Sequence, residues 1–185
     1  MAYTESNMLP IGTAAPDFQL PDTVSGKNLS LKDIAGTAAT VVVFSCNHCP
    51  YVIHVNPELV RLANDYLPKG VGFAAISAND VEKYPADAPD KMRELAQTVG
   101  YPFPYLYDET QAVARAYDAA CTPDFYVFDA EMRLAYRGRL DDSRPKSGTP
   151  LTGRDLRAAL DAVLAGEEPA AKQYPSAGCN IKWKG

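Results

Sequence analysis

Thr40-Val41-Val42-Val43-Phe44-Ser45-Cys46-Asn47-His48-Cys49-Pro50 joins a β-branched apolar run to two cysteines with two residues between them. The first six residues read as a short strand buried on both faces. Pro50 to about Tyr66 reads as a helix, because a proline is tolerated in a first turn, where its missing N–H has no partner to lose. Pro57 lies past that turn and predicts a kink, or a restart with Asn56 as cap and Pro57 at the first helical position. Downstream, Val71–Ser77 reads as a second buried strand and Asn79–Pro89 as a Pro- and Asp-rich loop. A helix follows on Met92, Leu95, Ala96 and Val99, stopped by Gly100. Tyr105–Tyr107 is a short strand and Gln111–Tyr117 a small helix. Asp124–Asp129 and Leu134–Arg139 form a hairpin turning near Ala130–Arg133. Thr152 and Asp155 resemble a capping box for a last helix with the stripe Leu156, Ala159, Leu160, Val163, Leu164, closed by Gly166. Upstream, Phe18, Leu20, Leu29 and Leu31 stand between turn residues, as in short added strands.

The alternation of strand and helix argues one α/β domain over 1–185. It divides into an N-terminal extension (1–38), a core (39–166) and a C-terminal tail (167–185). The composition is that of an ordinary soluble protein, 46 % hydrophobic and 22 % charged. A net charge of −5 with no basic stripe speaks against nucleic acid. No apolar run approaches the ~20 residues of a membrane helix. Met1–Asn7 is polar and shows no secretory signal, so the expected compartment is cytoplasmic.

In a reducing compartment stable structural disulfides are rare, so Cys46-x-x-Cys49 reads as catalytic or metal-binding. A helix N-terminus offers free N–H donors and partial positive charge, and both favour a thiolate. Cysteines at such sites titrate from about 3.5 to 7.5. Cys46, at the frayed and exposed edge, is assigned as the attacking nucleophile, and Cys49, shielded by the helix, as the resolving thiol. His48 either supports the Cys46 thiolate or stands in solvent without that contact. His54 reads as an ordinary helix residue. A zinc site can be drawn through Cys46, Cys49, Cys179 and His48, but one C-x-x-C with isolated Cys121 and Cys179 does not favour it. No metal or organic cofactor is expected.

Strand, Cys46-Asn47-His48-Cys49, helix, and the later Thr122-Pro123-Asp124-Phe125 resemble the thioredoxin-like superfamily. Ala15-Pro16-Asp17-Phe18 with Leu20 is similar to the start of its redoxin branch. Cys46–Pro50, Cys121–Asp129, Tyr136–Asp142 and Gly178–Trp183 look like the peroxiredoxin-like, AhpC/TSA-related members. The resemblance covers nearly the whole chain. It implies a central mixed sheet flanked by helices, a cis Pro123 facing the dithiol, and Thr122 and Pro123 presenting backbone groups to a substrate disulfide. Two departures stand out. The buried acid that thioredoxins carry six positions before the first cysteine is Thr40 here. The peroxiredoxin pattern Pro-x-x-x-Thr/Ser-x-x-Cys fails at Cys46, where Ala39 and Val43 fill its positions, and at Cys49, where Val42 and Cys46 do.

The implied activity is thiol-disulfide exchange at Cys46 and Cys49 on a protein or small-molecule disulfide, with a separate electron donor for recycling. The alternatives are a thiol peroxidase acting on hydroperoxides and a binding module without turnover. Cys121 reads as a small buried apolar residue. Arg137 and Arg139 either bias the site toward anions or form a solvated face or an ion pair with Asp141 or Asp142. Cys179 lies in a tail too polar to be core. The tail's reach of roughly 43–47 Å beyond Gly166 exceeds a domain radius of gyration of ~16 Å. It can therefore lie back across the body, anchored by Ile181 and Trp183. The favoured reading leaves Cys179 incidental there; the sharper one makes it a third thiol, accepting the disulfide or pairing between chains.

Overall fold

Residues 2–185 are described by the computed structural model. In chain order the strands are β1 (Tyr3–Glu5), β2 (Gln19–Pro21), β3 (Asn28–Ser30), β4 (Ala39–Phe44), β5 (Val71–Ser77), β6 (Tyr105–Tyr107), β7 (Cys121–Thr122), β8 (Asp124–Asp129), β9 (Leu134–Gly138) and β10 (Ala177–Asn180). The helices are α1 (Leu31–Ile34), α2 (Pro50–Tyr66), α3 (Pro89–Val99), α4 (Ala112–Ala116) and α5 (Arg154–Leu164). A five-stranded mixed sheet runs β6-β5-β4-β8-β9, with β4 parallel to β5 and antiparallel to β8. This is the thioredoxin-like architecture that the motifs imply.

β4 is central because all six of its residues are buried. Side chains alternate across a strand, so β4 feeds two cores. Val41 and Val43 pack with Leu59 and Leu62 of α2, Met92 of α3, and Leu156 and Leu160 of α5. Val42 and Phe44 pack with Phe18, Leu31, Ile34, Tyr117 and Tyr126 on the opposite face.

Several elements depart from expectation. α2 runs unbroken through Pro57. The carbonyl that Pro57 leaves without a helical donor belongs to Ile53, a residue 55 % exposed, so water can serve it. Asn56 is not a cap; it is buried and accepts a hydrogen bond from the Tyr101 hydroxyl at 2.6 Å. α5 does not start on a Thr152–Asp155 capping box. Its N-cap is Gly153 in the left-handed region, and the buried Asp141 carboxylate accepts the N–H groups of Thr152 at 2.8 Å and Gly153 at 2.7 Å. The N-terminal extension holds not only strands but also α1. There Ser30 and Asp33 exchange the two bonds of a capping box, and Leu31 lies in the helix.

The tail is the largest departure. It is not too polar for the core: Ala177, Cys179, Ile181 and Lys182 are all buried. β10 lies between β1 and β7, antiparallel to both, with Cys179 opposite Tyr3 on one side and Thr122 on the other. Thus extension, core and tail share one small sheet. Beyond β10, the Ile181 N–H donates to Ala120 O and the Lys182 N–H to Asn79 Oδ1. The Arg115 guanidinium sits 4.4 Å from the Trp183 ring centre. Among the described residues, no helix is long and apolar enough to cross a membrane.

Candidate active site

β4 delivers the chain into the turn Ser45–Cys49, and Cys49 becomes the N-cap of α2, its carbonyl accepting the Val52 and Ile53 N–H groups at 3.0 Å each. The turn is clasped from outside. The Asn47 N–H donates to Asp87 Oδ1 at 2.8 Å, and the Asn47 side-chain amide donates to Ala86 O at 2.9 Å. The Tyr105 hydroxyl donates to Asn47 Oδ1. Cys46 and Cys49 consequently share a buried cluster with Val52 and Cys179. Cys46 is only 1 % exposed and Cys49 is fully enclosed, which corrects the expectation of an exposed Cys46. Cys179 of the tail strand packs against both, and Asp87 lies beside Cys46.

The sulfurs face Thr122. Cys46 Sγ is 3.5 Å from Thr122 Oγ1, and Cys49 Sγ lies 3.4 Å from Thr122 O. The Thr122–Pro123 bond is cis. The backbone of Thr122, which the family resemblance reserves for a substrate, is here paired with the chain's own Cys179 on β10. Cys179 Sγ lies 2.7 Å from Cys49 Sγ. The structure therefore brings Cys46, Cys49, Thr122 and Cys179 together, with Pro123 adjoining.

The electrostatics invert the expected polarity. The Cys46 thiol is pushed well up, first by its hydrogen bond to Cys49, then by burial and by the nearby Asp87 carboxylate. Cys49 is held at about 5, chiefly by the thiol hydrogen bond from Cys46, with further donation from Cys179 and the Val52 N–H, all against burial. The thiolate of the reduced, covered pair thus rests on Cys49, where the donors converge. Burial and donation to Cys49 push Cys179 up to about 12.

His48 does not spend Nδ1 on Cys46. That atom lies 2.7 Å from Asp87 Oδ2, and its ring stacks on Tyr84 at 5.9 Å between centroids. Asp87 is fully buried and also accepts from the Asn79 side-chain amide at 2.9 Å. Sequence reasoning missed it. The only hint was negative, since Thr40 cannot supply the acid and its hydroxyl instead accepts the Gly36 N–H. Cys46, His48 and Asp87 offer three atoms of metal-ligand type within 4.8 Å of one another. This set differs from the one drawn on the sequence, because Cys49 and Cys179 turn toward each other.

The remaining candidates fall outside this cluster. Cys121 is buried among backbone, its Sγ 3.8 Å from Pro123 O, and burial pushes its thiol far up. His54 meets Ser143 Oγ at 2.8 Å. Arg137 donates to Leu9 O and Gln173 Oε1. Arg139 pairs with Asp155 at 2.6 Å rather than with Asp141 or Asp142. Asp141 has no free oxygen for it: one binds the start of α5 and the other the Ser143 N–H.

The AhpC/TSA family profile matches residues 11–137. An uncharacterized conserved protein of Geobacillus kaustophilus, known from a crystal structure, is 60 % identical with a TM-score of 0.98, covering 100 % of this chain and 97 % of that one. A hypothetical protein of Sinorhizobium meliloti 1021 is 45 % identical with a TM-score of 0.95, covering 98 % of each chain. The thiol-disulfide oxidoreductase ResA of Geobacillus thermodenitrificans is 22 % identical over 163 residues, 87 % of this chain and 82 % of that protein.

Proposed function

Because the chain belongs to the AhpC/TSA family, we propose that it is a thiol-disulfide oxidoreductase whose redox pair is Cys46 and Cys49. The observation that carries this reading is the shared sulfur environment beside Thr122, where Cys46 Sγ lies 3.5 Å from Thr122 Oγ1 and Cys49 Sγ 3.4 Å from Thr122 O in one buried cluster. The name of the ResA relative supports it.

Cys46 is the attacking sulfur in this scheme. It is approached past His48, whose side chain is 24 % exposed, whereas Cys49 is enclosed by Val52, Thr122 and Cys179. The proton shared by the pair moves from Cys46 to Cys49, which then donates to Thr122 O. The Cys46 thiolate attacks a substrate disulfide, forming a mixed disulfide and releasing one thiolate. Cys49 attacks the Cys46 sulfur of that mixed disulfide; its proton goes to the departing thiolate, leaving Cys46–Cys49 oxidised and the substrate reduced. An electron donor of dithiol type returns the pair to its reduced form. An extended substrate must take the edge of Thr122 from β10, so binding at Thr122 and Pro123 includes displacement of the tail.

The test compares reduction of insulin disulfides with consumption of hydrogen peroxide, on wild type and Cys46→Ser. Insulin reduction that vanishes in Cys46→Ser is the expected result. Peroxide consumption with insulin untouched replaces the reading by a thiol peroxidase. Activity in neither assay leaves a binding module.

A further inference from the structure

The tail strand places a third sulfur against the dithiol. We propose that Cys179 is a redox partner of Cys49, accepting the disulfide first formed between Cys46 and Cys49, an inference that rests on the redox pair proposed above. The two sulfurs lie 2.7 Å apart, and a small closing movement reaches the S–S bond length of about 2.05 Å.

The approach is built into the backbone. Cys179 is held opposite Thr122 by β10–β7 pairing and opposite Tyr3 by β1. Gly178 has no side chain to separate the strands: a Cβ there would stand 1.9 Å from Thr122 O. Beyond Cys179, Ile181 is 1 % exposed, and Lys182 Nζ donates to both Asn180 O and Asn180 Oδ1. The Asp80 N–H donates to Lys182 O, fixing the tail to the loop that carries Asp87. A cysteine on an incidental tail needs none of this. Antiparallel pairing with the residue before Pro123 also makes β10 stand where the resemblance expects an extended substrate, so Cys179 occupies the place of a substrate sulfur within the same chain.

The exchange needs no added oxidant. The Cys179 sulfur attacks Cys49 Sγ of the Cys46–Cys49 disulfide. The Cys49–Cys179 bond forms, the Cys46–Cys49 bond breaks, and the Cys46 sulfur leaves with the electron pair and takes up the Cys179 proton. The number of disulfides is unchanged. Its structural consequence is a covalent pin between α2 and the strand that covers Thr122, so the oxidised protein closes its own substrate edge until a dithiol donor reduces it.

The experiment treats the reduced full-length protein, without air, with one equivalent of hydroxyethyl disulfide. Acid quenching, alkylation and non-reducing peptide mapping follow, and insulin reduction is assayed in parallel. The expected map contains peptides linked through Cys49–Cys179 with Cys46 alkylated, beside peptides linked through Cys46–Cys49. Hydrogen exchange at residues 177–180 should slow at least tenfold on oxidation of wild type and not in Cys179→Ser. A map in which every oxidised molecule carries Cys46–Cys49 and Cys179 is always alkylated overturns the proposal and leaves the redox pair standing. No internal disulfide at all, together with no insulin reduction, overturns both.

Discussion

Gly178 lies so close to Thr122 that a Cβ built on it would stand 1.9 Å from the Thr122 carbonyl oxygen and 3.3 Å from Tyr51 Cβ. Backbone oxygen cannot retreat as a flexible side chain can, so Gly178→Ala must push β10 off β7. The expected cost is that of overpacking, about 1–3 kcal/mol, read as a lower denaturation midpoint. The larger effect is local. With β10 displaced, Cys46 and Cys49 lose their cover and should react with a thiol-alkylating reagent at least tenfold faster. Equal alkylation rates in the two proteins would mean that the tail does not gate the dithiol.

The thiol titration of the reduced protein should begin far below the ordinary range. Cys49 at about 5, against an ordinary value of 9.0, predicts a thiolate ultraviolet absorbance rising through about pH 5. Cys179→Ala removes one of the donors to that thiolate, so its midpoint should move upward. A depressed acid contributes stability that is fully present above its unfolded value and lost as pH falls through its folded value. The Cys49 contribution therefore declines between about 9 and about 5. Cys179, raised to about 12, acts in the opposite sense and costs stability as pH rises past the ordinary thiol range. Stability of the reduced protein measured across this range should fall toward both ends; a flat profile contradicts the assignment.

His48 and Asp87 should shift the dithiol in opposite directions. The Asp87 carboxylate pushes the Cys46 thiol up, and an N–H on His48 Nδ1, which lies 2.7 Å from Asp87 Oδ2, would donate to that carboxylate. His48→Ala uncovers it, so Cys46 should attack more slowly and the disulfide should become a weaker oxidant. Asp87→Asn removes the charge, keeps an acceptor for the Asn47 N–H, and should speed Cys46. A tenfold step in the equilibrium with glutathione, about 30 mV for a two-electron couple, is the size to look for in each. Shifts of the same sign in both variants would remove Asp87 from the electrostatics of Cys46.

What the sequence disclosed and what it hid have physical causes. β4, α2 and the Cys46–Cys49 turn were legible because they are local: a continuous apolar run, a helix-compatible proline and a fixed spacing within one stretch of chain. The Thr122–Pro123 loop was legible through resemblance. Asp87 was hidden because Asn47 and His48 come from the turn before α2, and Asn79, though in the same loop, stands eight residues away in irregular chain that leaves no periodic trace. The start of α5 was misread for the same reason, since its capping oxygen comes from Asp141 rather than from a residue inside the helix. The tail misled by composition. Lys182 looks like a surface residue, yet its ammonium is satisfied by Asn180 while its stem is buried. Cys179 could be placed within reach of the dithiol from chain length, but the pairing that selects Cys49 depends on β7 and β1, which sequence periodicity does not reveal.

Pro57 offers a stability test on the helix that carries Cys49. α2 is continuous from Pro50 to Tyr66, so Pro57 is an interior proline and not a first-turn one. An interior proline costs roughly 3 kcal/mol relative to Ala, from a lost hydrogen bond and ring crowding against the carbonyl four residues back. Two effects reduce that figure here. The carbonyl concerned is that of Ile53, an exposed residue of α2, where water can replace part of the missing bond. A proline also restricts the unfolded chain, which favours folding by about 0.4–1 kcal/mol. Pro57→Ala should therefore stabilise the protein by about 1–2 kcal/mol, raising the midpoint of denaturation. The residue is exposed, so the substitution leaves no cavity to offset the gain. Equilibrium unfolding in urea checks it, and a destabilised Pro57→Ala would mean that the ring makes a packing contribution larger than the hydrogen bond it prevents.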